Sequence, residues 1–194
     1  MPDFEQLIKN GREQRGLEYK AGLGWDELKA KIAKTALGMA NLLDGGYIVI
    51  GVAERSRGVF ELEGVSDAVA ASYSEDDVQA FVNEYAEPHI AMEVHKPQIG
   101  SQQFVVILVH EFSVVPVICA KDAPDFRRGA VYIRSTRMRE TSEVRTAEEM
   151  RAIIELATEK RLAELVGQLQ RVGILDALQS AAAAARFAAQ AGEV

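Results

Sequence analysis

The stretch NLLDGGYIVIGVAE, residues 41–54, decides the fold. Asp44-Gly45-Gly46 reads as a stop, because a glycine there takes the left-handed conformation that closes a helix. Tyr47 to Glu54 then form a short, near-continuous apolar run rich in β-branched residues. That is the pattern of a strand covered on both faces. Upstream, WDELKAKIAKTALGMANLL places Leu28, Ile32, Ala36, Met39, Ala40 and Leu43 at spacings of four and three, one face of a helix. Trp25 precedes it, where an apolar side chain staples the first turn.

Working outward, LEYKAG reads as a brief strand ending at Gly22, and residues 3–9 as a short helix carrying Phe4, Leu7 and Ile8. Downstream, SRGVFELEGV reads as a turn and strand, and SEDDVQAFVNEYA as a capped helix closed by Pro88. IAMEVHKPQI and QQFVVILVHEF pair as a hairpin, and PVICAKD is a further strand. In GAVYIRSTRM, residues 129–138, Val131, Ile133 and Ser135 alternate with Tyr132, Arg134 and Thr136 along a strand. Thr146 and Glu149 form a capping box that opens a helix running to about Arg171. Gly173 interrupts it, and an alanine-rich helix follows. Leu162, Leu165, Leu169 and Val172 show seam-like spacing. The expectation is an α+β fold: residues 1–155 form a mixed β-sheet flanked by helices, and 156–194 a C-terminal helical extension that serves oligomerisation.

Composition narrows the function. The chain has 194 residues, 48% apolar and 26% charged, as ordinary soluble globules have. Cys119 is the single cysteine, so no internal disulfide forms. No apolar leader opens the chain, and no stretch approaches the roughly 18 apolar residues of a membrane span. A cytoplasmic location without membrane contact is the simplest expectation. The net charge of −7 is unevenly spread. Residues 61–126 hold twelve acids against two bases, whereas 127–145 hold six arginines against two glutamates. An arginine-rich stripe inside an acidic protein matters to an anionic ligand more than the total does.

Three acids and a lysine stand out. On a strand Glu18 and Lys20 project to one face while Leu17 and Tyr19 take the other. An acid and a lysine so placed suit a hard divalent cation beside a scissile phosphate, or equally a salt bridge on a solvated face. Glu13 can fold back beside Glu18, an arrangement favoured when a cation or shared proton fills the gap. Glu54 ends the strand 47–54, where functional loops begin. Arg127, Arg128, Arg134, Arg137 and Arg139 suit phosphate contacts, or pairing with the acids of 61–126, and Tyr132 offers a stacking surface. No G-x-x-x-x-G-K-[ST] loop is present, so no P-loop supports nucleotide binding. His89, His95 and His110 lack cysteine partners at zinc spacing.

The order of these pieces resembles the Schlafen family's AlbA-like domain. Glu13 is followed by Glu18-Tyr19-Lys20, then by Ala40-Asn41, by Gly45-Gly46 entering Tyr47-Ile48-Val49-Ile50-Gly51-Val52, and by YIRSTRMRETSEVRTAEEM before a helix. The resemblance spans roughly residues 10–155. It implies nucleic-acid binding, with RNA ahead of DNA, and in the family's nuclease members a site of three metal-binding acids. Those positions match Glu13, Glu18 and Glu54, the last an aspartate in the family pattern. One residue more than usual separates Asn41 from the double glycine. The implied activity is a divalent-metal-dependent endoribonuclease acting on structured RNA such as tRNA, with Mg²⁺ or Mn²⁺ on the acids and Lys20 at the phosphate. The alternative is a non-catalytic DNA- or RNA-binding module or transcriptional regulator. A single lobe would need a homodimer to embrace a duplex.

Overall fold

The double glycine forms a tight turn, but the helix before it has already ended at Ala40, with Asn41 as its C-cap. Asp44 and Gly45 both take left-handed backbone, φ 66° and 65°. A Cβ on Gly45 would lie 2.1 Å from the Val109 carbonyl oxygen, so no larger residue fits this turn. Residues 3–135 and 140–174 are described by the computed structural model of the chain.

In chain order the elements are α1 (Phe4–Lys9), β1 (Leu17–Lys20), α2 (Trp25–Ala40), β2 (Gly46–Ile50), β3 (Val52–Ser56) and β4 (Val59–Leu62). Next come α3 (Asp67–Ser72), α4 (Glu75–Asn83), β5 (Ala86–Glu87), β6 (Met92–His95), β7 (Gln98–Ile99) and β8 (Gln102–Gln103). The described chain closes with β9 (Val105–Val109), β10 (Ile118–Cys119), β11 (Tyr132–Arg134), β12 (Thr141–Glu143) and α5 (Ala147–Arg171).

The central sheet has the order β1-β2-β9-β6. β1 and β2 are parallel, joined through α2, and the other two pairings are antiparallel. The fold is therefore α+β with a mixed sheet. Alternation sorts its faces. Leu17, Tyr19, Val49 and Val106 point to one side and pack with Ile8 of α1, Val52 and Phe104. Glu18 and Lys20 point to the other, level with Ile48 and Ile50 in the parallel register. That face meets α2, whose Leu28, Ile32, Ala36, Met39 and Ala40 are buried as their spacing predicts.

Three expectations are corrected. The run Tyr47 to Glu54 is two strands, not one, because the chain turns at Gly51 (φ 105°). A Cβ there would come within 3.0 Å of Gly64 and Phe104. β3 consequently leaves the sheet and pairs with β4 as a separate hairpin. α2 ends at Ala40, so Leu43 lies outside its buried face and is 66% exposed. The strand around residues 129–138 is only Tyr132–Arg134, all three buried, paired with the short β12. Residues 136–139 and the alanine-rich helix after 174 lie outside the described residues.

The chain divides into two compact units, Met1–Ile153 and Ile154–Val194. The capping box opens α5 as read: the Glu149 N–H donates to Thr146 Oγ1 at 3.1 Å and the Thr146 N–H to Glu149 Oε2 at 3.2 Å. No helix among the described residues is long and apolar enough to cross a membrane.

Asn41 explains why α2 stops where it does. Its side chain is 3% exposed and fully used. The amide NH₂ donates to the carbonyls of Val117 (2.8 Å), Tyr132 (2.9 Å) and Leu37 (3.3 Å), and Oδ1 accepts the Val117 N–H at 2.8 Å. One side chain thereby ties the end of α2 to residue 117 and to β11. Asn41→Ala leaves those buried groups without partners, and should cost about 1–3 kcal/mol or more. Urea unfolding of the variant is expected to show a lowered midpoint at unchanged slope.

Candidate nucleic-acid interface

On the α2-facing side of β1 the chain buries charge. Arg134 of β11 is 1% exposed and Glu18 is 8% exposed. The Glu18 Oε2 lies 2.6 Å from Arg134 Nη1, a close ion pair without the alignment of a hydrogen bond. The Lys20 ammonium sits against Oε1 of the same carboxylate. Arg134 Nε also donates to the Arg15 carbonyl at 3.3 Å, and Arg15 Nε returns a bond to the Arg134 carbonyl at 3.0 Å. This reciprocal pair pins the segment before β1 onto β11.

Glu13 joins them. Its Oε1 accepts the Tyr19 N–H at 3.2 Å. Burial, and then the neighbouring charge of Glu18, push the Glu13 carboxyl above its ordinary value, against the opposing pull of that N–H, Lys20 and Arg134.

A cleft of about 1,040 Å³ opens over this cluster. Glu13, Glu18, Lys20, Glu54 and Arg134 all line it, together with Lys31, Lys34 and Thr35 of α2, Arg57 and Phe60 of the β3–β4 hairpin, and Glu140 and Thr141. Glu54 is exposed and its Oε1 accepts the Gly58 N–H at 2.7 Å, closing the hairpin turn. Among the described residues three buried side-chain atoms lack a hydrogen-bond partner: Glu18 Oε2, Arg134 Nη2 and Thr141 Oγ1. All three belong to residues of this cleft. Buried polar atoms without hydrogen-bond partners call for an explanation, and these three gather in one place.

Of the other arginines named from the sequence, Arg127 and Arg128 do not line this cleft. Arg127 grips Glu143 in a fork, Nε at 3.1 and 3.0 Å and Nη2 at 2.6 Å. Arg128 is exposed and its N–H donates to Asp122. Arg137 and Arg139 lie outside the described residues. The partners of Arg134 and Arg127 are Glu18 and Glu143, not the acidic 61–126 stretch. Tyr132 is 3% exposed, so its ring offers no stacking surface. His95 and His110 share the Glu93 carboxylate, at 3.1 and 2.9 Å.

Sequence reading passed over Lys31, Lys34 and Arg57. None has an acidic partner at ion-pair distance among the described residues, in contrast to Lys20 and Arg134. Lys31 and Lys34 stand three apart on α2 and so share a face; that spacing was the signal available.

Glu13, Glu18 and Glu54 line one cleft, and each has partners within the protein. Glu18 faces Lys20 and Arg134 with both oxygens, and Glu54 is engaged by the hairpin. Among the described residues no group of three or more His, Cys, Asp or Glu side chains is placed to hold a metal ion.

Residues 13–142 match the model of the family described as Schlafen, AlbA_2. The chain belongs to that family. The Schlafen AlbA_2 match starts at Glu13 and ends in β12, so it contains the whole cleft. The DIP2311 protein from Corynebacterium diphtheriae has a similar fold, at 16% identity and TM-score 0.50 over 77% of this chain. The chain spans about a quarter of that protein's length, 27%. The N-terminal domain of an ATP-dependent DNA helicase RecG-related protein from Nitrosomonas europaea matches at 22% identity and TM-score 0.45, covering 66% of this chain and 89% of that one. No curated protein matches the chain.

Two outcomes follow from the geometry of this Schlafen AlbA_2 cleft. Glu18→Ala strands Arg134 as an unpaired buried charge and should cost about 3–5 kcal/mol, whereas the double variant Glu18→Leu with Arg134→Met should recover most of that loss in denaturant melts. Glu13 behaves oppositely. Its folded-state pKa is raised, so its contribution to stability is present below the ordinary glutamate value and is lost as pH rises through the raised one. Glu13→Gln should therefore melt higher than the parent at pH 7, and the gap should close as the solution is acidified through the carboxylate range.

Proposed function

We propose that the chain is a nucleic-acid-binding domain that receives a phosphate backbone in the cleft between β1, α2 and the β3–β4 hairpin, RNA ahead of DNA. One observation carries the reading: Lys31, Lys34 and Arg57 line the cleft without acidic partners among the described residues. The other two cations there, Lys20 and Arg134, already share the Glu18 carboxylate, so these three are the ones open to an anion. Family membership supports the same reading. The preference for RNA rests on the nuclease members that the Glu13, Glu18-Tyr19-Lys20 pattern resembles.

Fluorescence anisotropy of a labelled single strand against KCl tests it. Three phosphate contacts give a log–log salt slope of about −2 for single strands. EDTA should leave binding unchanged. Failure to bind at low salt would overturn the proposal.

A second reading is a metal-dependent endoribonuclease on structured RNA such as tRNA, using Mg²⁺ or Mn²⁺ with Glu13, Glu18 and Glu54 as ligands and Lys20 at the phosphate. What favours it is the Glu13–Glu18 neighbourhood, whose repulsion a cation would relieve. It requires Glu18 to give up Lys20 and Arg134. Under this reading labelled tRNA is cut only when Mg²⁺ or Mn²⁺ is present, and Glu54→Gln and Glu13→Gln abolish the products. An intact substrate with the parent protein leaves the non-catalytic module or transcriptional regulator.

A homodimer through α5 is proposed from Leu162, Leu165, Leu169 and Val172, all exposed at seam-like spacing. Light scattering at micromolar concentration should give twice the chain mass; a monomer refutes it.

A further inference from the structure

The cleft does not end at Thr141. A second depression of about 380 Å³ adjoins it and shares Lys34, Glu140 and Thr141. Arg127, Glu143 and Arg145 line its far part. Arg127 is committed to Glu143 through its fork. Arg145 is exposed and has no acidic partner at ion-pair distance among the described residues. Lys34 leans between the two hollows, its ammonium 5.8 Å from the centre of the Tyr132 ring.

The electrostatics join the hollows as well. Glu143 is held below the ordinary glutamate value by Arg127 foremost, with Arg145 and Lys34 adding to it. One carboxylate thus lies in the field of three cations at the junction, and Arg127 is the one that hydrogen-bonds to it. The surplus is carried by Lys34 and Arg145. Together with Lys31 and Arg57 they make four cations without a carboxylate at ion-pair distance among the described residues, spread over two adjoining recesses that share lining residues. Asp125 and Glu140 also border the recesses, so the path is a file of separate cations rather than a broad basic field.

We propose that the two depressions form one continuous track for a single nucleic-acid strand, which enters over Arg57, passes Lys31 and Lys34, and leaves past Arg145. A duplex presents two charged strands and suits a broad basic face. One file of cations in a recess suits one backbone. The inference rests on the nucleic-acid reading above and extends it from a cleft to a path with a second exit.

The test uses the full chain and short labelled oligouridylate and oligodeoxythymidylate probes. Arg57→Glu and Arg145→Glu, both at exposed positions, should each weaken binding severalfold for either probe. Lys34→Gln should lower the salt slope by about 0.7, the share of one phosphate contact on a single strand. Lys96→Glu, at an exposed site off the path, should bind as the parent does. If Arg57→Glu weakens binding while Arg145→Glu matches the parent, the strand stays in the first cleft and the track is refuted, with the nucleic-acid reading intact. If the parent binds neither probe, both fall. A tighter grip on a duplex than on either single strand also overturns the track.

Discussion

The site depends on one buried arginine. Guanidinium does not lose its proton in a protein, so Arg134 has to be neutralised where it lies. Its 1% exposure makes the requirement strict. Glu18 supplies the charge from β1, and the carbonyl of Arg15 supplies an acceptor. Those two contacts join β11 to β1 and to the segment just before it, which no ladder connects to β11. The same carboxylate holds Lys20. A buried pair of this kind is weak evidence for stability as such, because desolvation offsets much of the Coulomb gain. Its effect here is placement: it sets the floor of the cleft and decides which charges beneath an incoming anion are already spent.

Charge on this surface is accordingly sorted into two classes. Lys20, Arg134 and Arg127 answer carboxylates of their own protein. Lys31, Lys34, Arg57 and Arg145 have no carboxylate at ion-pair distance among the described residues, and they line the two adjoining recesses. A protein of net charge −7 can present an anion-binding path in this way, because the field at the ligand is local. The acids Glu13 and Glu18 then have a second physical meaning besides metal ligation. Glu18 is a counter-ion, and Glu13 is a carboxyl whose ionisation its surroundings disfavour.

Much of the fold was legible because its signals are local. The apolar spacing of α2, the glycine turn that follows it and the β-branched run of β2 each act within a few residues. The break at Gly51 was not, since it comes from the close approach of Gly64 and Phe104. α3 and β12 went unread because they are short and lack a clear apolar period. At the site, the acids and Lys20 could be named from strand alternation and motif order, and they line one cleft. The burial of Arg134 could not, because it depends on a partner far upstream in the chain. Lys31 and Lys34 escaped because α2 was read for its apolar face, and their role emerges only when β1 and the hairpin are set beside it.

Backbone amide NMR during titration with a short RNA strand tests the central claim most directly. The account predicts that shift changes concentrate at Lys20, Lys31, Lys34, Thr35, Arg57 and Thr141, and weaken as salt is raised. Changes centred instead on α4 and the His95–Glu93–His110 cluster, or none at saturating RNA, would contradict it.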